Sequence, residues 1–288
     1  MSEDMPQNYA NEGKRYWNEE GGRTWIAHID QIDTLVAPLS TISLERAMPK
    51  EGETVLDVGC GGGATSRHMA DRVGSSGHVL GADISTTILA VAKERSEHML
   101  NLRFETGDAQ TMDFGEDAFD LVYSRFGVMF FQDAIAAFTN LHRALKPTGR
   151  LAFLSWRAAA DNPWMQRPVT AIQEIFPPPP NANPAAADPN APGPFSLAQA
   201  ERIHQILQSA GFTDVQLEPL NESMRMGSVD EAMSLILGMM GPSADQISLA
   251  THEQVTNLHD SIRRVLAHYE TANGVAMSCA AWLVSAHA

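Results

Sequence analysis

The stretch that decides the fold lies between residues 55 and 64 and reads Val55-Leu56-Asp57-Val58-Gly59-Cys60-Gly61-Gly62-Gly63-Ala64. Its first four residues are mainly large and apolar, which is typical of a buried strand. The glycines that follow let the backbone turn tightly and let a ligand approach the start of the next helix. The stretch therefore predicts a strand, a ligand-binding loop and a helix in direct succession.

Strands and helices continue to alternate after this loop, as far as Trp156. Further strands are predicted at 78–83, 102–105, 119–124 and 151–155, with helical patterns between them. Strands that are apolar along most of their length belong to parallel sheets covered by helices on both faces. We therefore predict an α/β fold with a doubly wound, Rossmann-like sheet of about seven strands, counting two more in the remaining chain.

The second half of the chain begins with a proline-rich stretch, 177–194, which holds eight of the 16 prolines. Proline at this density forms neither helix nor central strand, so the stretch is either a linker between domains or an insertion within one. Beyond it, 196–199 and 228–231 both resemble capping boxes that open helices. Val215–Leu217 and the apolar run Val275–Val284 are predicted strands.

Composition narrows the classes of function. The chain has 20 basic and 35 acidic residues and a formal net charge of −15, which disfavours a nucleic-acid partner. Its two cysteines, Cys60 and Cys279, cannot form a disulfide framework or a four-cysteine zinc site, and the histidines show no metal-ligand spacing. We expect no metal, no membrane span, no signal peptide at the polar, acidic start, and a cytoplasmic location.

The glycine loop by itself is ambiguous between two ligands. Gly59, Gly61 and Ala64 fit the G-x-G-x-x-A pattern of dinucleotide-binding loops. Asp57 argues against a dinucleotide, because a carboxylate two residues before the first glycine would repel a pyrophosphate. The same carboxylate suits a ligand that carries an α-ammonium group.

The loop resembles motif I of class I S-adenosylmethionine-dependent methyltransferases, and later motifs occur in the same order as in that family. Asp83 ends the second predicted strand, Gly107-Asp108-Ala109 follows the third, and the segments 119–126 and 141–156 resemble the fourth and fifth strands with their flanking turns. Similarity to the ubiquinone/menaquinone-type small-molecule methyltransferases extends over about 17–212.

The resemblance implies S-adenosyl-L-methionine as cofactor and assigns roles to matching residues. Asp83 would bind the ribose hydroxyls and Asp108 the adenine amino group, although Asp108 could instead stabilise a turn. Ser124 and Arg125 would lie beneath the methyl donor, although Arg125 could instead pair with a carboxylate. The residues expected to contact the cofactor are Asp57, Gly59, Gly61, Gly63, Asp83, Ile84, Asp108, Ala109, Ser124, Arg125, Trp17 and Trp25.

The same resemblance implies a division of the chain. Residues 1–50 would form an N-terminal helical lid, and 51–288 a methyltransferase domain whose last strand is antiparallel. Insertions at about 157–197 and 222–272 would supply helical caps and the acceptor site. The methionines in the second insertion either line an adaptable apolar pocket or serve ordinary helix packing: Met224, Met226, Met233, Met239 and Met240.

The expected function is in-line transfer of a methyl group to the oxygen, nitrogen or carbon of a small-molecule acceptor. No catalytic base is identified by the sequence; His28 and Arg125 are the two candidates. Two alternatives remain open, an NAD(P)-dependent oxidoreductase on the same fold and a catalytically silent cofactor-binding module. A homodimer is compatible with each of them.

Overall fold

The structure is a computed structural model that describes residues 13–177, 188, 190–241 and 244–288. The strands are β1 (Thr54–Val58), β2 (His78–Asp83), β3 (Leu102–Thr106), β4 (Phe119–Arg125), β5 (Leu145–Trp156), β6 (Thr213–Arg225), β7 (Glu270–Thr271) and β8 (Gly274–His287). The helices are α1 (Glu20–Ala27), α2 (Ile29–Ala47), α3 (Ala64–Val73), α4 (Thr86–Glu94), α5 (Ala134–Ala144), α6 (Pro163–Gln173), α7 (Ala200–Ser209), α8 (Val229–Met240), α9 (Ala244–Ser248) and α10 (His252–Ala267).

The strands form one sheet in the order β3-β2-β1-β4-β5-β8-β6, and β7 pairs with β8 alone. The strands β1 to β5 all run parallel to one another. β8 is antiparallel both to β5 and to β6, so it separates two strands that run in the same direction. The predicted α/β fold and its antiparallel last strand are confirmed.

Helices cover both faces of the sheet because successive side chains of the central strands point to opposite sides. Val55 and Tyr123 pack with Met69 of α3 in one cluster. Leu56 and Phe153 belong to a second, larger cluster that includes α2, α5 and the elements after residue 156. The continuous apolar character of β1 and β4 thus serves two cores, as expected for a doubly wound sheet.

Two strands are longer than the sequence predicts. β5 begins at Leu145, which pairs with Phe119, and the ladder shifts register before Leu121. β6 extends to Arg225 because it pairs with β8 over nearly its whole length. Pro219 lies inside β6 and is tolerated there because β6 is an edge strand.

The predicted helix caps have different outcomes. Ser228 and Glu231 form a complete capping box at α8, which confirms that prediction. The prediction that Ser196 opens a helix is wrong, because α7 begins at Ala200 with Gln199 as its N-cap. The Ser196 hydroxyl instead donates to the carbonyl oxygen of Met129 at 2.6 Å. The Ser196 hydroxyl therefore binds a carbonyl that is distant in sequence and does not cap the helix.

Chain on both sides of the proline-rich stretch packs on the same sheet. Asn162, before it, donates from Nδ2 to the carbonyl of Ala280 at 3.0 Å and accepts from the amide of Ala280 at 2.9 Å. Ala198, after it, accepts from the indole N–H of Trp282 at 2.8 Å. The middle of the stretch, 178–187 and 189, lies outside the described residues, and the division into a lid and a domain with insertions stays a prediction.

None of the helices in the described part of the chain is both long enough and apolar enough to cross a bilayer.

Candidate functional site

A cavity of about 1230 Å³ lies at the carboxyl ends of the parallel strands. Gly59 follows β1, Asp83 ends β2, Gly107 follows β3, and Arg125 and Trp156 end β4 and β5; all of them line it. Ligands of open α/β sheets bind at this edge, where the strand order reverses between β1 and β4. The sequence-predicted residues in the wall are Trp17, Trp25, Gly59, Gly61, Asp83, Ile84, Asp108, Ala109 and Arg125.

The glycine loop forms part of the wall with bare backbone. Gly59 and Gly61 have φ values of +65° and +54°, a region that residues with a side chain rarely adopt. A Cβ on Gly59 would lie 2.7 Å from the Cα of Gly127, so the loop and the end of β4 can approach only without it. Gly63 is the N-cap of α3, and a Cβ there would meet the ring of Phe104. The structure therefore places Gly63 in packing and not in the cavity wall.

Asp83 connects the second strand to this loop. Its Oδ2 accepts from the amide of Gly61 at 2.8 Å and its Oδ1 accepts from the amide of Ser85 at 2.9 Å. Burial raises the pKa of this carboxyl above its usual value, while the backbone hydrogen bonds oppose that rise. Each oxygen keeps lone-pair capacity toward the cavity, which suits a pair of ligand hydroxyls.

Asp108 lies on the next loop and combines the two roles that the sequence left open. Its Oδ1 accepts from the amide of Gln110 at 2.9 Å, which is an Asx turn. The Gln110 Nε2 also lies 3.1 Å from Oδ2. Asp108, Ala109 and Gln110 all line the cavity, so the turn holds the carboxylate at the wall.

Asp57 is fully buried beneath the loop and does not line the cavity. Its Oδ2 accepts from the hydroxyls of Thr65 at 2.8 Å and Ser66 at 2.6 Å, both in the first turn of α3. No donor among the described residues reaches its Oδ1. Burial raises the pKa of Asp57 to about 6, against the lowering effect of the two hydroxyls. The carboxylate thus orders the loop from below, at a distance from any ligand in the cavity.

Ser124 and Arg125, at the end of β4, have different roles. The Ser124 hydroxyl donates to the carbonyl of Val58 at 2.8 Å and accepts from the amide of Gly127 at 3.2 Å, so it joins β1 to β4 inside the protein. Arg125 lines the cavity, and its guanidinium donates to Asp33 Oδ1 at 2.7 Å and Ser40 Oγ at 3.2 Å on α2. The pairing alternative for Arg125 is therefore present in the structure, with a helix carboxylate as partner.

Aromatic side chains from the N-terminal segment cover the polar end of the cavity. Trp17 makes edge contacts with Trp25 at 5.9 Å and with Phe130 at 5.4 Å between ring centroids. Its carbonyl accepts from the Ser85 hydroxyl at 2.7 Å, which ties the segment to the residue after Asp83 and Ile84. Trp25 approaches the loop, because its Nε1 would be 3.7 Å from a Cβ on Gly61.

His28 is not part of the cavity wall. Its Nδ1 lies 2.8 Å from Gln31 Oε1, and its ring packs so closely on Gly238 of α8 that a Cβ there would overlap it. The structure gives His28 a packing contact between the N-terminal segment and α8.

Sequence reasoning missed Phe126, which has a φ of +63°. Its ring stacks on Trp156 with centroids 4.0 Å apart and planes 11° apart, and both rings line the cavity. A bulky residue in the left-handed region is a genuine outlier, and such strain concentrates at functional sites. A single sequence does not predict this left-handed backbone conformation, since a phenylalanine at the end of a strand is normally extended.

The five methionines between residues 224 and 240 separate into two groups. Met239 and Met240 line the cavity. Met224, Met226 and Met233 are buried in the main core. Both alternatives left open by the sequence are therefore realised, each by a different part of the segment.

Comparison with known proteins agrees with this arrangement. Residues 55–149 match the methyltransferase domain family. Over 207 residues the chain is 32% identical to phosphoethanolamine N-methyltransferase 1 of Triticum aestivum, covering 72% of this chain and 34% of that protein. Over 105 residues it is 36% identical to demethylmenaquinone methyltransferase of Staphylococcus haemolyticus, covering 36% of this chain and 44% of that protein. The chain thus spans a third to under half of the length of these relatives.

A solved structure extends the likeness to most of the fold. Haemonchus contortus phosphoethanolamine N-methyltransferase 2, in complex with phosphomonomethylethanolamine and S-adenosylhomocysteine, superposes with a TM-score of 0.52 and 20% sequence identity, covering 87% of this chain and 52% of that one. Residues 55–149 thus resemble a methyltransferase domain, and the chain is similar to class I S-adenosylmethionine-dependent methyltransferases, the quinone-type enzymes among them.

Proposed function

We propose that the protein is an S-adenosylmethionine-dependent methyltransferase that acts on a small-molecule acceptor. The observation that carries the proposal is Asp83, whose carboxylate is held by the amide of Gly61 and faces the cavity beside the glycine loop. This arrangement offers bare backbone and a charged acceptor side by side, which suits a ligand with a ribose and an amino-acid chain. The methyltransferase domain match supports the same reading.

The residues present fit this cofactor. The backbone of Gly59 and Gly61 leaves room that a Cβ would reduce, and Asp83 retains acceptor capacity for ribose hydroxyls. Asp108 and Ala109 would hold the adenine, and Trp17 with Trp25 would cover the bound molecule. The cavity of about 1230 Å³ exceeds the roughly 300–1,000 Å³ typical of one ligand, which leaves space for an acceptor as well.

The chain's own contribution to the reaction is positioning. When bound, the cofactor supplies a methyl group on a sulfonium whose departure leaves a neutral thioether. The protein must then hold both reactants in line and exclude water. The aromatic contacts of Trp17 with Trp25 and Phe130 provide the cover. Arg125 is held by Asp33, so it orients the end of β4 and its positive charge is largely neutralised.

The same proposal assigns the remaining segments. Residues 1–50 act as a lid, and the insertions at about 157–197 and 222–272 supply acceptor contacts, as the presence of Trp164 and Met240 in the wall supports. Both cysteines are buried free thiols, which fits the reducing cytoplasm. A homodimer stays a prediction.

Calorimetric titration tests the cofactor against the oxidoreductase alternative. We expect S-adenosylhomocysteine to bind and NAD⁺ to give no heat of binding. Binding of NAD⁺ without binding of S-adenosylhomocysteine would overturn the proposal. Transfer of labelled methyl groups to an acceptor panel then separates an enzyme from a silent binding module.

The relatives do not agree on an acceptor. The wheat protein is named for phosphoethanolamine, a charged amine, and the staphylococcal protein for demethylmenaquinone, an apolar aromatic molecule. These acceptors require opposite kinds of pocket, so the cavity wall of this chain must decide between them.

A further inference from the structure

One cation in the cavity wall has no charged partner. Arg202, in the first turn of α7, lines the cavity and is half-buried. Its Nε donates to the carbonyl of Ser196 at 3.0 Å and its Nη2 to that of Asn190 at 3.4 Å. Asp188, on the same segment, is exposed, and its Oδ1 accepts from the amide of Asn190 at 2.8 Å. Within the described part of the chain, Arg202 therefore keeps its charge uncompensated and retains free N–H donors.

The other two lining cations of the described residues are placed differently. Arg125 is already paired with a helix carboxylate at 2.7 Å. Lys14 is exposed, and Asn18 Nδ2 donates both to its carbonyl at 2.7 Å and to that of Ile84 at 3.1 Å. Lys14 thus belongs to the side of the cavity proposed for the cofactor, and Arg202 is the cation that remains for the acceptor.

Arg202 is connected to the apolar part of the wall. The hydroxyl of its partner Ser196 donates to the carbonyl of Met129 at 2.6 Å, and the amide of Gly193 donates to the same carbonyl at 3.0 Å. We call the following cavity residues the apolar lining: Phe126, Met129, Trp156, Trp164, Met239 and Met240. A ligand that reaches Arg202 is therefore beside thioether and aromatic carbon.

A single guanidinium in apolar surroundings selects the charge of its ligand. Its planar N–H groups match a carboxylate with two parallel hydrogen bonds, and the two charges cancel. A phosphate monoester carries nearly two negative charges, so one of them would stay uncompensated in the cavity. Asp83, Asp108 and Asp188 in the same wall add to the repulsion of a dianion.

We infer that the methyl acceptor is an organic acid whose carboxylate binds Arg202 and whose apolar body packs on the apolar lining. This inference rests on the proposed function, because it gives the substrate class of the same site. The class differs from both acceptors for which the relatives are named.

The carboxylate is the anchor, and a second, nucleophilic atom of the acceptor is directed toward the glycine loop. A lone pair of that atom forms the bond to the methyl carbon, and the sulfonium–methyl bond breaks with its electron pair left on sulfur. A hydroxyl or amine nucleophile releases its proton to water.

Three probes with the same apolar chain test the inference on the full protein: octanoate, octanamide and octyl phosphate. Each is titrated by calorimetry with and without saturating S-adenosylhomocysteine. We expect octanoate to bind at least about ten-fold more tightly than the uncharged octanamide, and octyl phosphate to bind no more tightly than octanoate.

Substitution of Arg202 separates ligand binding from support of the 190–196 segment. Arg202→Gln should remove the preference for octanoate and leave the affinity for octanamide within about two-fold, whereas loss of a purely structural contact would weaken both probes alike. Arg202→Lys should retain part of the preference, because it keeps the charge without the two parallel hydrogen bonds.

Arg167→Gln is the matched control, since it removes the same charge from an exposed position of α6 outside the cavity wall. It should leave the affinity for octanoate within about two-fold. The inference is overturned if octanoate does not bind, if it binds no better than octanamide, if octyl phosphate binds more tightly, or if Arg202→Gln weakens both probes equally. Failure of S-adenosylhomocysteine to bind would instead overturn the proposed function, and the titrations without it still report on Arg202.

Discussion

The cavity lining has two chemically different parts, which we call the polar end and the apolar end. The polar end uses backbone and carboxylates from the short span 59–109. The apolar end uses side chains that are spread from Phe126 to Met240. Recognition by backbone depends on a few glycines and acids at fixed spacing, whereas recognition by side chains depends on how distant helices pack. We expect that substitutions at the apolar end can change the acceptor while the polar end keeps the same cofactor. The following experiments test this independence.

The largest effect is expected from a chain that ends at Pro177. It keeps every residue of the polar end from Gly59 to Asp108 but loses β6 and β8, so the edge of β5 from Arg150 to Trp156 has no partner. We expect loss of cooperative unfolding and a molten or insoluble product. Thermal unfolding followed by near-ultraviolet circular dichroism checks this. A soluble fragment with a sharp transition would show that the polar end folds by itself, as a separate domain before a linker.

Gly61→Val should abolish the polar end's function within a folded protein. Valine is strained at a φ of +54°, and its side chain would occupy space between the loop and Trp25. We expect affinity for S-adenosylhomocysteine to fall on the order of 100-fold or more by calorimetry, since several hydrogen bonds to the loop are displaced together. Gly52→Val is the matched control, because Gly52 has a φ of +83° and lies outside the cavity wall. If both variants bind equally well, the loop is merely a turn.

Asp83→Ala should weaken cofactor binding less completely. Each charge-assisted hydrogen bond to a ribose hydroxyl contributes about 1.5–3 kcal/mol, and the amide of Gly61 also loses its acceptor. Asp120→Ala is the control, since Asp120 likewise accepts from a backbone amide, that of Thr54 at 2.8 Å, but does not line the cavity. Calorimetry should show a loss of affinity for Asp83→Ala alone. Unchanged affinity in a folded Asp83→Ala protein would remove the ribose assignment.

The smallest effect concerns Asp57, the buried acid beneath the polar end. Burial raises its pKa to about 6 from the usual 3.8, so the folded protein binds this proton more readily than the unfolded chain. The ionised carboxylate therefore destabilises the fold above about pH 6, and this cost declines as the pH falls toward 4. Asp57→Asn should gain stability relative to the wild type as the pH rises from 4 to 7, by at most about 3 kcal/mol.

Denaturant unfolding at several pH values measures this difference. Asp113→Asn, at an exposed carboxylate, controls for the loss of one negative charge. A constant difference between Asp57→Asn and the wild type from pH 4 to pH 7 would show that Asp57 does not titrate as its burial suggests. A difference that grows with pH would show that the buried Asp57 carboxylate destabilises the fold beneath the glycine loop.

The contrast between the ends also explains what the sequence could predict. The strand Thr54–Val58, the glycine loop and Asp83 follow from neighbouring residues, so local patterns were sufficient for them. The hydroxyls of Thr65 and Ser66, in the first turn of the following helix, are the sequence signal for the inward position of Asp57.

The apolar lining of the cavity, formed by Phe126, Met129, Trp156, Trp164, Met239 and Met240, could not be derived in the same way. Its members are unremarkable in their own segments, and Met233 on the same helix as Met240 is buried in the core instead. Which methionine faces the cavity depends on how α8 is oriented by its neighbours. Ser196 shows the same limit of prediction from local sequence. Its hydroxyl binds the carbonyl of Met129, which is distant in sequence, and does not cap the following helix.

The position of β8 between β5 and β6 has a consequence for how the chain acquires its shape. β8 follows all the other strands along the sequence, yet it fills an interior place in the sheet. The edge of β5 that pairs with β8 stays without its hydrogen-bond partners until β8 has been synthesised, because Trp156 pairs with Ala281. Contacts between such distant positions slow folding, and an unpaired edge invites association with other chains. We therefore expect β5 to keep an unpaired edge until β8 is available to cover it.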